Sequence, residues 1–282
     1  MKFLLLKTKF KQLLSGKAYL FKQFTKHTYM KYLIPFLLLA LAISSCKTEP
    51  KAEDDDWIYL FDGASTDGWR AYNGDSLPPQ WVIKDGALTF DAEVKKLDVE
   101  HQGGRDIIYA AEEFDNFELY LEWKLPPGGN SGIFYHVKEG YDGPPNVAPE
   151  YQLIDDENYT KFHDITEYNK SIGYTENPQD LQPLQQTACD YAMTPADPAQ
   201  KVLHPAGEWN SSKIVFTPTR VEHWLNGKMV LSFVPWSEDW YKKKNSGKWE
   251  GSPDYGKFKT GYIGLQDHDS PLWFRNIKIK KL

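Results

Sequence analysis

The chain has 282 residues, with 33 Lys and Arg against 39 Asp and Glu, a formal net charge of -6. That balance excludes a nucleic-acid binder, which needs a basic footprint, and 2 cysteines cannot supply a disulfide framework. The 10 Trp and 17 Tyr suit sheet packing, and some are of the kind that stack on the C–H faces of sugar rings.

Residues 33–43 form an apolar run too short to span a bilayer. Lys31 precedes it and Ser44-Ser45-Cys46 follows, the layout of a secretory signal. Cysteine after small residues resembles the lipobox of bacterial lipoproteins, so residues 1–45 are expected to be removed and Cys46 to be lipidated. Residues 1–29 are long and basic for a signal, and Met30 offers an alternative start. Residues 46–56 carry the lipidated cysteine and a charged stretch with nothing to bury, the composition of a solvated tether. Lys47 after the cysteine favours the outer membrane, facing either the periplasm or the medium. Contact with the membrane is then through the lipid chains only.

Residues 57–282 remain as one domain. Cys189 is its sole thiol, so an internal disulfide is excluded and stability must come from burial. Period-two alternation dominates this stretch. Phe117, Leu119, Leu121, Trp123 and Leu125 share one strand face, and Glu118, Tyr120, Glu122 and Lys124 the other. The turn Pro126-Pro127-Gly128-Gly129-Asn130 leads to a strand over 132–137, and the pair reads as a hairpin. Further strands are predicted at 81–83, 87–90, 106–109, 151–154, 212–216, 220–225, 228–233, 261–266 and 273–280. Asn226-Gly227 lies between two of them, a strong hairpin signal. Many short strands with regular turns predict an all-β sandwich or barrel. Residues 156–208 lose the alternation but keep Tyr159, Phe162, Tyr168, Tyr174 and Tyr191. A loop of that length is functional or disordered, and its aromatics favour function. Residues 236–255 form a second irregular stretch, and both are expected at the rim of a groove.

Five motifs occur in order: Leu60-Phe61-Asp62-Gly63 with Asp67-Gly68-Trp69; Asn116-Phe117-Glu118-Leu119 with Glu122-Trp123; Gly128-Gly129-Asn130-Ser131-Gly132-Ile133-Phe134; Gly207-Glu208-Trp209-Asn210 with Glu222-His223-Trp224-Leu225-Asn226-Gly227; and Gly264-Leu265-Gln266-Asp267-His268 with Trp273-Phe274-Arg275-Asn276-Ile277. Together they resemble the 3-keto-disaccharide hydrolase domain family, over nearly all of the chain after residue 57. The resemblance implies a two-sheet antiparallel jelly-roll sandwich of the concanavalin A-like type, with a concave groove. It also implies action on glycosides whose C3 hydroxyl is oxidised to a ketone. The 156–206 segment departs from the family pattern and bears on substrate size.

A C3 ketone acidifies the hydrogen on C2, so a base can remove it and the C1 substituent can leave. Such a site needs a base, an acid for the leaving oxygen and a donor for the enolate oxygen. Direct hydrolysis by two carboxylates is the other route. Glu150 and Gln152 alternate on the polar face of one strand, a carboxylate and an amide suited to base and hydroxyl-binding roles, and Asp155 at the strand end is expected to join them. Glu118 and Glu122 share a polar face, with Glu122 a second catalytic candidate. His268, after Gln266 and Asp267, is a candidate acid or base. His136, Gln266, Arg275 and Tyr191 complete the candidate substrate contacts, and the Asn130-Ser131 bend reads as backbone geometry. No close-spaced zinc motif is present. Calcium is a candidate for the acidic loop at 155–157, which lacks an EF-hand spacing, and no cofactor is certain.

Two other readings stand beside the enzyme. A carbohydrate-binding lipoprotein of the same fold would have a groove of aromatics and amides, with carboxylates that are dispensable. A structural or adhesive envelope component would have no groove, or a flat apolar patch instead.

Overall fold

The computed structural model describes residues 56–95 and 105–282. The signal run, Cys46 and the tether lie outside these residues, apart from Asp56. No helix among the described residues is long and apolar enough to cross a membrane.

Two antiparallel sheets make the domain, packed as a β-sandwich. The larger runs β11 (Lys228–Phe233), β10 (Arg220–Leu225), β9 (Asn210–Thr217), β6 (Phe117–Lys124), β13 (Leu272–Lys281), β4 (Ala87–Phe90) and β3 (Trp81–Lys84), with β1 (Ile58–Phe61) also on β13. The smaller runs β2 (Trp69–Ala71), β5 (Ile107–Phe114), β12 (Gly261–Leu265), β7 (Asn130–Val137) and β8 (Glu150–Ile154). The apolar face of β6, Phe117, Leu119, Leu121 and Trp123, meets Ile133, Tyr135, Tyr151 and Leu153 of the smaller sheet in one core. Every second residue of a strand points the same way, so Glu150 and Gln152 are left on the outer face of the smaller sheet.

The Asn-Gly hairpin forms as expected: Leu225 pairs with Lys228, and both turn residues have positive φ, 47° at Asn226 and 79° at Gly227. The expected pairing of β6 with β7 does not form. β6 lies between β9 and β13, while β7 lies in the other sheet between β12 and β8. The two prolines at 126 and 127 stiffen the turn, and Asp155 captures the Gly128 N–H at 2.8 Å, so the chain crosses between layers. Strands β1 and β2 were not predicted, being short segments without clean alternation.

His136 also departs from the simple alternation. Its φ of 55° breaks the pleat at the end of β7 and turns the ring inward among Phe117, Tyr135 and Phe216. Its Nε2 donates to the Asp115 carbonyl at 2.9 Å, and burial lowers its pKa to about 4. The residue is a core histidine, not a groove contact. Strand β12 approaches this break closely, and a Cβ at Gly261 would lie 2.3 Å from the His136 carbonyl carbon. Gly261→Ala should therefore destabilise the domain by about 1–3 kcal/mol, read as a lower denaturant midpoint at unchanged slope.

Candidate functional site

Strand β8 is the edge of the smaller sheet, and residues 187–191 satisfy its free side. Ala188 N donates to Gln152 O at 2.9 Å, Gln152 N to Cys189 O at 3.3 Å and Tyr191 N to Glu150 O at 3.0 Å. The Thr187 hydroxyl accepts from Ile154 N and donates to Ile154 O at 2.6 Å. This pairing draws the irregular segment over the sheet. Its two short helices, α1 (Tyr159–Phe162) and α2 (Thr166–Ser171), help wall a cavity of about 500 Å³ on the outer face. The second irregular stretch adds Lys248. Its Trp240, Trp249 and Tyr255 pack with Cys189, Tyr191 and Met193 in a satellite core that holds both stretches.

Glu150 stands on the cavity wall, 3% exposed. Its carboxyl has no hydrogen bond or ion pair among the described residues. Gly132, its cross-strand diagonal neighbour, makes the room: a Cβ there would lie 2.2 Å from Glu150 Oε1. Burial pushes the Glu150 pKa up to about 8; Lys248 opposes this, while Asp106 and Asp190 add to it. The Lys248 ammonium sits over Tyr191, 4.3 Å from the ring centre, and over Trp249 at 4.5 Å. The Tyr168 and Tyr191 hydroxyls share a hydrogen bond of 2.7 Å.

Gln152 also lines the cavity. Its Oε1 accepts from Leu153 N at 2.9 Å, which leaves the amide N–H groups for a ligand. Gln266 is pinned by its N–H to Gly132 O at 3.0 Å and by the Ser131 hydroxyl on its carbonyl at 2.8 Å. His268 also lines the cavity, and burial lowers its pKa, which favours the neutral ring.

The structure thus brings together Glu150, Gln152, Gln266, His268 and Tyr191 from the sequence candidates. It does not bring Glu122, Glu118, Arg275, Asp155 or His136 to that cavity. Glu122 is on the outward face of the larger sheet, held by Arg275 Nε at 2.6 Å and Asn276 Nδ2 at 2.8 Å. Glu118 on the same face pairs with Lys213 at 3.3 Å. Both line a separate depression with Trp57, Tyr59 and Tyr120, because the inner face of β6 is taken by the core. Asp155 caps a turn, accepting from Gly128 N and Asn158 Nδ2.

Sequence reasoning missed Lys248, His163 and Asn130 as lining residues. Lys248 lies in a stretch marked as rim without any motif to single it out. The bend at Asn130 read as backbone geometry, yet its side chain lines the cavity. Among the described residues, no group of three or more His, Cys, Asp or Glu is placed to hold a metal ion, the acidic loop at 155–157 included.

A domain described as 3-keto-alpha-glucoside-1,2-lyase-like matches residues 56–280. A 3-keto-disaccharide hydrolase of Bacteroides thetaiotaomicron is 35% identical over 248 residues, 81% of this chain and 79% of that one. Two crystal structures from Parabacteroides distasonis, both of candidate glycosyl hydrolases, are similar. One is 38% identical with a TM-score of 0.68, covering 80% of this chain and 94% of the other. The second is 26% identical with a TM-score of 0.55, covering 80% and 99%.

A buried carboxyl with a raised pKa has a thermodynamic signature. Folding favours the protonated form, so the stability Glu150 retains below its unfolded pKa, near 4.5, is lost as pH rises through about 8. Glu150→Gln removes that loss. Thermal melts should show the variant gaining on the parent as pH rises from about 5 to 8, by up to a few kcal/mol in all, and keeping that margin at higher pH.

Proposed function

Because the chain belongs to the 3-keto-alpha-glucoside-1,2-lyase-like family, we propose that it cleaves glycosides whose C3 hydroxyl has been oxidised to a ketone, with Glu150 as the base. The observation that carries this reading is the Glu150 carboxyl, buried without a hydrogen-bond donor at the wall of a sugar-sized cavity and facing the field of Lys248. A pKa near 8 matches a group that must both take and return a proton close to neutral pH.

The Glu150 carboxylate takes the C2 hydrogen as a proton, and the C–H electrons form an enolate with its charge on O3. The Lys248 ammonium stabilises that charge. The enolate collapses to the ketone, a C1–C2 double bond forms, and the C1–O bond breaks. Glu150, now protonated, returns its proton to the leaving oxygen. Water then adds across the double bond, OH to C1 and H to C2, for a net hydrolysis. Gln152, Gln266 and the neutral His268 hold hydroxyls of the ring. Direct hydrolysis needs two carboxylates at the bond. The lining carboxylates are Glu150 and Asp164, and Asp164 is engaged by Thr166 N at 3.0 Å, which favours elimination followed by hydration.

Incubation with a 3-keto-disaccharide beside its unoxidised parent tests the proposal. Only the oxidised sugar should be cleaved, and kcat/KM should rise with pH through about 8 as Glu150 ionises. Glu150→Gln should lose about 10²–10⁴-fold. Binding without cleavage of either sugar would move the protein to the carbohydrate-binding class.

We also propose that the protein is an exported lipoprotein anchored through Cys46 at the outer membrane. A clickable fatty acid fed to cells should label the protein, and Cys46→Ser should abolish the label.

A further inference from the structure

The cavity has two chemically different ends, set by strand β8. Glu150, Gln152 and Ile154 point the same way, and the rise of a strand puts Glu150 and Ile154 roughly 13 Å apart. That separation is the length of two linked rings. At the Glu150 end are Lys248, Tyr191 and Gln152. At the Ile154 end, Tyr159, Ile165 and Leu181 pack with Ile154 into an apolar cluster of their own, and all four residues line the cavity. Three polar residues stand nearby: His163, Asp164 and, within the field of His163, His268. His163 turns its Nε2 to the Gly128 carbonyl at 3.0 Å and lays its ring on Tyr159 at 4.5 Å. Asp164 Oδ1 accepts from Thr166 N at 3.0 Å, at the first residue of α2.

One polar group stands out at this end. Asn130, which pairs with Ile154 across the strands, is 7% exposed. Its Nδ2 donates weakly to the Tyr159 hydroxyl at 3.4 Å, and its Oδ1 is buried without a partner. A second sugar would bring several hydroxyls to this end, and an apolar wall leaves most of them without partners at a cost. A flat aromatic ring loses no hydrogen bonds there, and one hydroxyl on it would meet Asn130.

Resting on the 3-keto-glycoside reading above, we propose that the leaving group this protein accommodates is a hydroxylated aromatic ring, with the oxidised sugar at the Glu150 end, the aglycone between Ile154, Tyr159, Ile165 and Leu181, and the aglycone hydroxyl on Asn130. The substrate class is then 3-keto-glycosides of phenols.

Phenols leave more readily than sugar alcohols, so rates alone do not isolate the pocket. Binding to the Glu150→Gln protein does, with three 3-keto-glucosides that differ only in the aglycone: 4-hydroxyphenyl, phenyl and glucosyl. The 4-hydroxyphenyl compound should bind about 10–200-fold tighter than the glucosyl one, the range set by an apolar pocket, with phenyl between them. Adding Leu181→Gln should erode the preference for both aryl compounds. Adding Asn130→Ala should bring the 4-hydroxyphenyl affinity down to that of phenyl while phenyl itself is unchanged, which also shows that the variant is folded. A glucosyl compound that binds as tightly as the aryl ones overturns the inference, and cleavage of that compound by the parent protein would leave the 3-keto-glycoside reading standing. An Asn130→Ala change that weakens phenyl and 4-hydroxyphenyl equally removes Asn130 from the aglycone contact and overturns its assigned role. Failure of all three compounds both to bind and to be cleaved overturns this inference and the functional reading together.

Discussion

The pairing of residues 187–191 along the free edge of β8 is the constraint on which the site depends. An edge strand presents a row of unpaired N–H and C=O groups, and here they are met by Ala188, Cys189, Tyr191 and the Thr187 hydroxyl. Once that pairing forms, the segment that follows β8 must arch over the outer face of the smaller sheet. The arch turns what would be a solvated strand face into a cavity wall. All five residues of β8 are buried as a result, although only Tyr151 and Leu153 belong to the sandwich core.

Burial of Glu150 follows from the same cover, and its chemistry follows from the burial. A carboxyl removed from water without a donor favours its protonated form, and Lys248, held over two aromatic rings, pulls only partly the other way. Gly132 is a necessary part of this arrangement, since any side chain there would displace the carboxyl. The fold tolerates a poorly solvated acid because the rest of the sandwich core is apolar and continuous. Destabilised groups at working sites are a general pattern, since a group stabilised in the resting fold is less reactive.

The two sheets divide the work. The larger sheet carries aromatics and paired charges on its outward face, with Glu122 held by Arg275 and Asn276 and Lys213 over Trp224. The smaller sheet carries the cavity. A carboxylate on the first face is bonded on both oxygens, whereas Glu150 on the second has no hydrogen-bond partner among the described residues. The difference between these two glutamates lies in what covers each strand and not in the strands themselves.

Much of the fold was legible from residue pattern. Alternation located β6 and β13, Asn226-Gly227 specified the β10–β11 hairpin, and the alternation of Glu150 and Gln152 with Tyr151 and Leu153 assigned their faces. The five motifs carried the family. Pattern did not reveal that β6 and β7 lie in different sheets, because a turn sequence does not say which layer the next strand joins. It did not distinguish Glu150 from Glu122 either, since both sit on polar strand faces and only the cover over β8 separates them. His136 passed for a groove residue because a single positive φ, invisible in the sequence, reverses its face. Fold class and the polarity of each strand face are written in residue order, because they are local properties of period and turn chemistry. Which of those faces becomes a cavity, and that Glu150 loses its solvent, depends on contacts between segments far apart in the chain, which no local pattern encodes.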